Sequence, residues 1–235
     1  MIMQSINGNN LNLVRPWYSR AQVENNIISI DDINDSLNLQ KILTVDFLKK
    51  LGKEPVVHNN GFIVLNITPT KRLHIWGHPD IPQIRETQAI HDHVFGFRSF
   101  ALVGQLTNVI YELIPNGSDY HIHLTSPSKY EIEPTNVFCD VRPKHITTIA
   151  PFGNKQGFPD FYDMKPWDLH KTLITGIAAT VIHKTGKLLS TMNSQGQRAF
   201  CILPKEEKPY SHPSFSSIDK KVLWKIIEEV LNSKC

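Results

Sequence analysis

Cysteine is scarce in this chain. Its three copies, Cys139, Cys201 and Cys235, are far apart, odd in number and never in a Cys-x-x-Cys pair. That fits reduced thiols in a cytoplasmic protein better than a disulfide framework, and it offers no metal-type cysteine pair. Long apolar runs are missing as well, so no segment reads as a bilayer span. Met1 to Asn12 is polar and lacks the apolar stretch of a signal peptide, which again leads us to expect a cytoplasmic location. Nor does one sign of charge dominate. The 25 Lys and Arg nearly balance 22 Asp and Glu, and no basic cluster stands out, so neither nucleic acid nor a membrane is an expected partner. Repeats and low-complexity tracts are absent too. What remains is 235 residues of ordinary globular composition, enough for one large domain or one domain with extensions.

Three zones follow from the patterning. In residues 19 to 52, Leu43, Phe47, Leu48 and Leu51 recur at helical spacing, with Thr44 as a cap and Gly52 as a stop. From residue 61 the signal changes to short strands rich in β-branched and aromatic residues. These are Phe62–Ile67, Arg72–Trp76, Ser99–Val103, Leu106–Ile114, Tyr120–Thr125, Val137–Val141, Ile146–Ile149, Gly176–His183 and Ala199–Leu203. Such density of short strands points to a sandwich or barrel. Pro115–Asp119 reads as a turn between two of them. The tail returns to helix over residues 216 to 231. There Ser216 can cap, Asp219 sits at the third helical position, and Ile218, Val222, Ile226 and Val230 form a stripe. The division expected is a helical extension over 1–60, a β domain over 61–205, and a terminal helix over 206–235 that packs on the β domain or on a second subunit.

The most informative segment is Ala89 to Gly104, which contains His91-Asp92-His93. In an extended backbone, side chains two apart share a face, so His91 and His93 aim at one point. Their face continues as Phe95, Phe97, Ser99, Ala101 and Val103, which is mostly apolar and so faces inward. Two imidazoles on one inward face suit a transition metal. A third ligand should come from another strand. His170 is the best candidate, following a polar turn that contains Pro166. Three histidines leave positions open for a substrate and for a small molecule such as O2 or water.

On these residues the chain resembles the cupin superfamily. His91, His93 and the downstream Gly104 are similar to the first cupin motif, and Pro166 with His170 to the second. Ile90-His-Asp-His followed by Phe100-x-x-x-Gly104 also looks like the metal strand of cysteine-dioxygenase-type cupins, which use three histidines. The resemblance covers residues 60 to 205. It implies a mainly β, cupin-type double-stranded β-helix (jelly-roll) barrel with one metal ion near its centre. Most cupins carry a Glu ligand about four residues past the second His. Here that region reads Phe95-Gly-Phe97-Arg98, which favours a site of three histidines alone. A cysteine near Arg98 and Ser99, as some thiol-oxidising relatives carry, is also missing.

The function expected is an Fe(II)-dependent oxygenase acting on a small polar metabolite with O2. His91, His93 and His170 hold the metal, and Arg72, Tyr111 and Tyr162 are candidates to orient the substrate or bound oxygen. Two other readings stay open. One is a cupin isomerase, lyase or hydrolase using Zn, Mn or Ni as a Lewis acid. The other is a non-catalytic ligand-binding cupin. A homodimer is possible in each case.

Other polar residues read differently. His121 and His123 alternate with Tyr120, Ile122 and Leu124, so the pair is expected on a solvated strand face. His74 either lines the pocket or is a packed structural histidine. His183 either orients substrate or lies exposed beside Lys184. Arg98 points away from His93 and is expected in a salt bridge on the outer face, leaving Arg72 as the better carboxylate anchor.

Overall fold

The computed structural model describes residues 19–25, 28–58, 61–81, 90–125, 132–185, 200–206 and 218–233. Three short helices open this part of the chain: α1 (Arg20–Glu24), α2 (Ser36–Ile42) and α3 (Val45–Lys50). Each has the expected type of cap. Ser19 forms a capping box with Gln22, and Asp35 and Thr44 accept from the third backbone N–H of the helices that they start. Gly52 leaves the last of these with a positive φ.

Among the described residues eleven strands follow: β1 (Val56–His58), β2 (Phe62–Asn66), β3 (Lys71–Trp76), β4 (Ile90–His91), β5 (Gly96–Val103), β6 (Leu106–Thr125), β7 (Ile132–Ile149), β8 (Phe161–Met164), β9 (Leu169–Ile174), β10 (Ala178–Thr185) and β11 (Phe200–Pro204). They form two antiparallel sheets. One has the order β1-β2-β3-β10-β5-β8, the other β11-β4-β9-β6-β7 with an added β11–β6 pairing. The protein is thus mainly β. Among the described residues, no helix is long and apolar enough to cross a membrane.

The six-stranded sheet is buried on both faces, which is why Phe62-Ile-Val-Leu65 and Leu73 to Trp76 read as continuous buried runs and not as alternation. Its outer face carries Ile63, Leu65, Leu73, Ile75, Phe100, Leu102 and Val181. The helices cover them with Leu39, Ile42, Leu43, Leu48 and the terminal helix α4 (Lys220–Asn232). In α4, Leu223, Ile226, Ile227, Val230 and Leu231 are buried at i, i+3, i+4, i+7 and i+8. Val222, expected in the buried stripe, is 40% exposed, because a pure i+4 ladder drifts round the helix. Asp219 is the cap, not an internal residue, since its carboxylate accepts the Lys221 N–H. Ser216 lies outside the described residues.

The inner face carries Phe62, Val64, Trp76, Phe97, Ala101, Tyr162, Met164 and Ile182. These meet Leu106, Ile149, Ile110 and Ile174 from the five-stranded sheet. The candidate site lies between these two inner faces.

Apart from the fusion of the expected strands Val137–Val141 and Ile146–Ile149 into β7, two features depart from the sequence reading. Residues 106–114 and 120–125 belong to one strand. Pro115 and Tyr120 both register against Cys139, so residues 116–119 bulge outward and the chain does not reverse. The Asp140 carboxylate holds the excursion by accepting the N–H groups of Ser118 and Asp119 at 3.0 Å each. The length of β6 lets its first half pair with β9 and its second half with β11. The second departure is at Val103. A register shift against Ala179 and Thr180 rotates it off the inner face, and it packs instead with the helix-covered core.

Candidate metal centre

His91 and His93 are not on one continuous strand with Phe97. β4 ends at His91 in the five-stranded sheet, and β5 begins at Gly96 in the other. The chain crosses between the sheets over residues 92–95, so the His-x-His segment forms a corner. His91 registers directly against His170 on β9, which puts both side chains on one face. One ligand atom from each of His91, His93 and His170 lies within 4.8 Å of the others. Ring centroids are separated by 4.5 to 5.2 Å.

The approach to His170 is a tight turn. The Asp168 N–H donates to the Lys165 carbonyl, Pro166 takes the second position, and Trp167 takes the third with φ +67°. This is the type II pattern, in which glycine usually fills the third position. Trp167 is held there in part because its N–H donates to the carbonyl of His93 at 2.8 Å. That bond ties the loop bearing the second histidine to the turn before the third. Asp168 accepts from the Lys165 N–H at 3.1 Å and so closes the turn; it is not part of the histidine group.

His170 is 3% exposed. Its Nδ1 lies 2.9 Å from the Asn108 Oδ1, an acceptor, so Nδ1 carries the proton. Nε2 then presents its lone pair, and this buried atom has no hydrogen-bond partner among the described residues. Burial first, and then the neighbouring His91 and His93, hold the His170 pKa well below 6.5. His93 is shifted the same way, by burial and then by His91, Arg72, His58 and His74. Imidazoles close together, with His93 and His170 held neutral by burial and one orphaned inward nitrogen, suit a divalent transition metal. Among the described residues, no carboxylate belongs to this group. Asp92 is buried near the Cys201 thiol, whose pKa burial and this carboxylate push up to about 12. Glu86 lies outside the described residues.

The histidines open onto a cavity of about 70 Å³. Phe62, Trp76, Phe95, Phe97, Leu106 and Ile182 form its apolar walls, and Ser99, Thr172, Thr180 and Tyr162 add hydroxyls. The Trp76 indole N–H donates to Thr180 at 3.1 Å. Burial pushes the Tyr162 phenol up to about 12, against the opposing effect of Ser99 and Thr172 beside it. A larger, more open cleft of about 580 Å³ lies among the N-terminal helices. No cluster of metal-ligating side chains lies there among the described residues, and its Glu24 is engaged by Arg20 and Lys50.

Of the remaining candidates, Arg72 and Tyr162 line the cavity and Tyr111 does not. Ile110 registers with His170, so the next residue, Tyr111, points to the opposite face of β6 and packs with Ile90, Leu169 and Ile202. His74 lines the cavity. His183 bonds Asn34 at 2.7 Å. Arg98 forms a two-pronged bond to Asp163 at 2.7 Å and lies over Phe161, on the outer side.

The expectation for His121 and His123 is corrected. His123 is 1% exposed, and His121 is half-buried with a ring nitrogen against the Thr135 carbonyl. Tyr120 and Ile122 do take the apolar side, with Ile90, Leu169 and Ile202, but the histidine face is covered too, since His121 stacks on Phe138 and meets Thr135 of β7. Asn108 was missed. Its signal was a polar amide inside the strand-forming run Leu106 to Ile110, where Asn is disfavoured unless its bonds are met. The sequence matches no protein-family model and no curated protein.

Proposed function

We propose that the protein is a metal-dependent oxygenase on a cupin-type jelly-roll, with ferrous iron at His91, His93 and His170, and with O2 and a small polar metabolite as reactants. The observation that carries this reading is the buried His170 Nε2. It is turned toward two other imidazoles by the Asn108 bond and has no partner among the described residues. A neutral three-nitrogen set suits iron in a site with open positions. Ferrous iron bound there would activate O2 by electron transfer, with the substrate, as it is oxidised, supplying the balance of the electrons. The chain's own groups have separate tasks. The aromatic walls exclude water, which strengthens every polar contact inside. Arg72 orients a substrate from the cavity edge. The Tyr162 phenol, with its raised pKa, keeps its proton at neutral pH and donates a hydrogen bond.

The test is reconstitution with Fe(II) under anaerobic conditions, followed by O2 uptake against a panel of amino acids and small organic acids. Substrate-dependent uptake that vanishes in His170→Ala supports the reading. Full activity with zinc in the absence of O2 would replace it with Lewis-acid chemistry.

A further inference from the structure

Two polar side chains on the cavity wall have unmet hydrogen bonds. His74 is 6% exposed and Ser99 is 1% exposed. Neither ring nitrogen of His74 nor the Ser99 Oγ has a hydrogen-bond partner among the described residues. Both line the cavity from the six-stranded sheet, whereas His91 and His170 line it from the other sheet. Phe62 and Trp76 hold the His74 ring in place, with centroids 4.7 and 5.5 Å away. Its polar neighbours are already engaged. Thr180, which registers with His74, accepts the Trp76 N–H at 3.1 Å, and Arg72 and His58 on the same wall have partners of their own. Buried polar groups are almost always bonded, so two unmet ones on one cavity wall point to the molecule that fills it.

The two groups ask for the same chemistry. Burial, and then Arg72 and His58, keep the His74 ring neutral, with one N–H and one bare nitrogen. The Ser99 hydroxyl also both donates and accepts. A hydroxyl answers each of them from a single uncharged atom. A carboxylate has no proton to give, and an ammonium would meet no Asp or Glu among the described residues lining the cavity. Spacing adds a second requirement. β10 lies between β3 and β5, and Ile182, which registers with Ser99, is two residues beyond Thr180. The Cα atoms of His74 and Ser99 are therefore roughly 12 Å apart. That distance suits two hydroxyls on one short chain, one for each wall group.

We propose that His74 and Ser99 each bind one hydroxyl of the substrate, so that the site takes short, uncharged diols. This rests on the reading of the three histidines as a metal centre that acts on a small molecule. A cavity of about 70 Å³ limits the chain to a few carbons, and Ile182, between the two polar groups, faces them.

The test measures binding of propane-1,3-diol, 3-fluoropropan-1-ol and 3-hydroxypropionate to the full chain by NMR titration, with iron uptake determined on the same preparations. The second probe lacks one hydroxyl and the third replaces it with a carboxylate. A site built to bond a hydroxyl rejects the analogue without it, so the diol should bind about tenfold more tightly than either, or better. Ser99→Ala, a small change, should abolish the preference for the diol over 3-fluoropropan-1-ol and leave iron uptake unchanged. His74→Phe, which keeps the ring stack, should do the same, and His74→Gln should recover part of the preference by restoring a donor and an acceptor. A wild type that binds no diol, that does not prefer it to 3-fluoropropan-1-ol, or that prefers 3-hydroxypropionate would overturn the proposal, as would a preference that persists in Ser99→Ala. Protein that takes up no iron yet shows the expected diol pattern would support the hydroxyl site and count against the metal reading alone.

Discussion

The Nδ1 of His170 lies 2.9 Å from the Oδ1 of Asn108, on the neighbouring strand of the same sheet. This contact sets the tautomer of the one deeply buried histidine of the group. Support of this kind from a residue behind the ligand is worth about 10- to 100-fold in metal affinity. Asn108→Leu should therefore lower iron affinity by about that factor while the fold persists, as read by competition with a chelator. Unchanged affinity would show that packing alone orients the ring.

Gly104 follows β5 with φ +66°, and a side chain there would fall against the carbonyl of Ile177. Gly104→Ala is expected to cost about 2 kcal/mol or more, since both the backbone conformation and the contact oppose it. Urea denaturation measures this directly. A cost below about 0.5 kcal/mol would mean that the turn relaxes freely.

Ile227 on α4 is fully buried against the outer face of the six-stranded sheet. Ile227→Ala should destabilise the protein by about 2–5 kcal/mol. The histidines lie beyond the opposite face of that sheet, so metal content per folded chain should not change. Removal of the chain from Ser216 onward should expose the same apolar face and cause aggregation, visible by light scattering.

Burial, and then Arg72 and His58, hold the His74 pKa well below 6.5. In the unfolded chain this ring takes up a proton as the pH falls through about 6.5, but in the folded protein it stays neutral. The unfolded state therefore binds more protons in that range, and stability is lost as the pH drops below it, by up to about 1.4 kcal/mol per pH unit for this one group. His74→Phe should remove that share of the loss. Unfolding midpoints measured at pH 7.5 and 5.5 would refute this if wild type and variant fell equally.

Much of the histidine group was legible because its cause is local. Two imidazoles one residue apart and a third behind a Pro-containing turn are patterns that spacing exposes. That His91 and His170 are direct cross-strand neighbours was not legible, because register between β4 and β9 depends on the whole sheet. The corner after His93 was hidden for a similar reason. Residues 89 to 104 alternate like one strand, although the chain changes sheets midway. Tyr111 failed as a cavity residue because a phenol in a strand has no intrinsic side, and only its neighbour's register with His170 fixes which way it points. His123 failed because alternation says which residues share a face but not whether that face is wet, and here His121, stacked on Phe138, packs against its ring. The fused length of β6 was masked by Pro115 and Gly117, which mark a bulge as readily as a turn.

Metal analysis of wild type beside His170→Ala, both reconstituted anaerobically with Fe(II) and desalted, tests the central claim most directly. His170 closes the group from a separate strand, and its Nε2 has no other partner among the described residues. The expected result is one iron per chain in wild type and almost none in the variant, with His121→Ala retaining the full amount. Equal iron in wild type and His170→Ala, or none in either, would contradict the three-histidine centre.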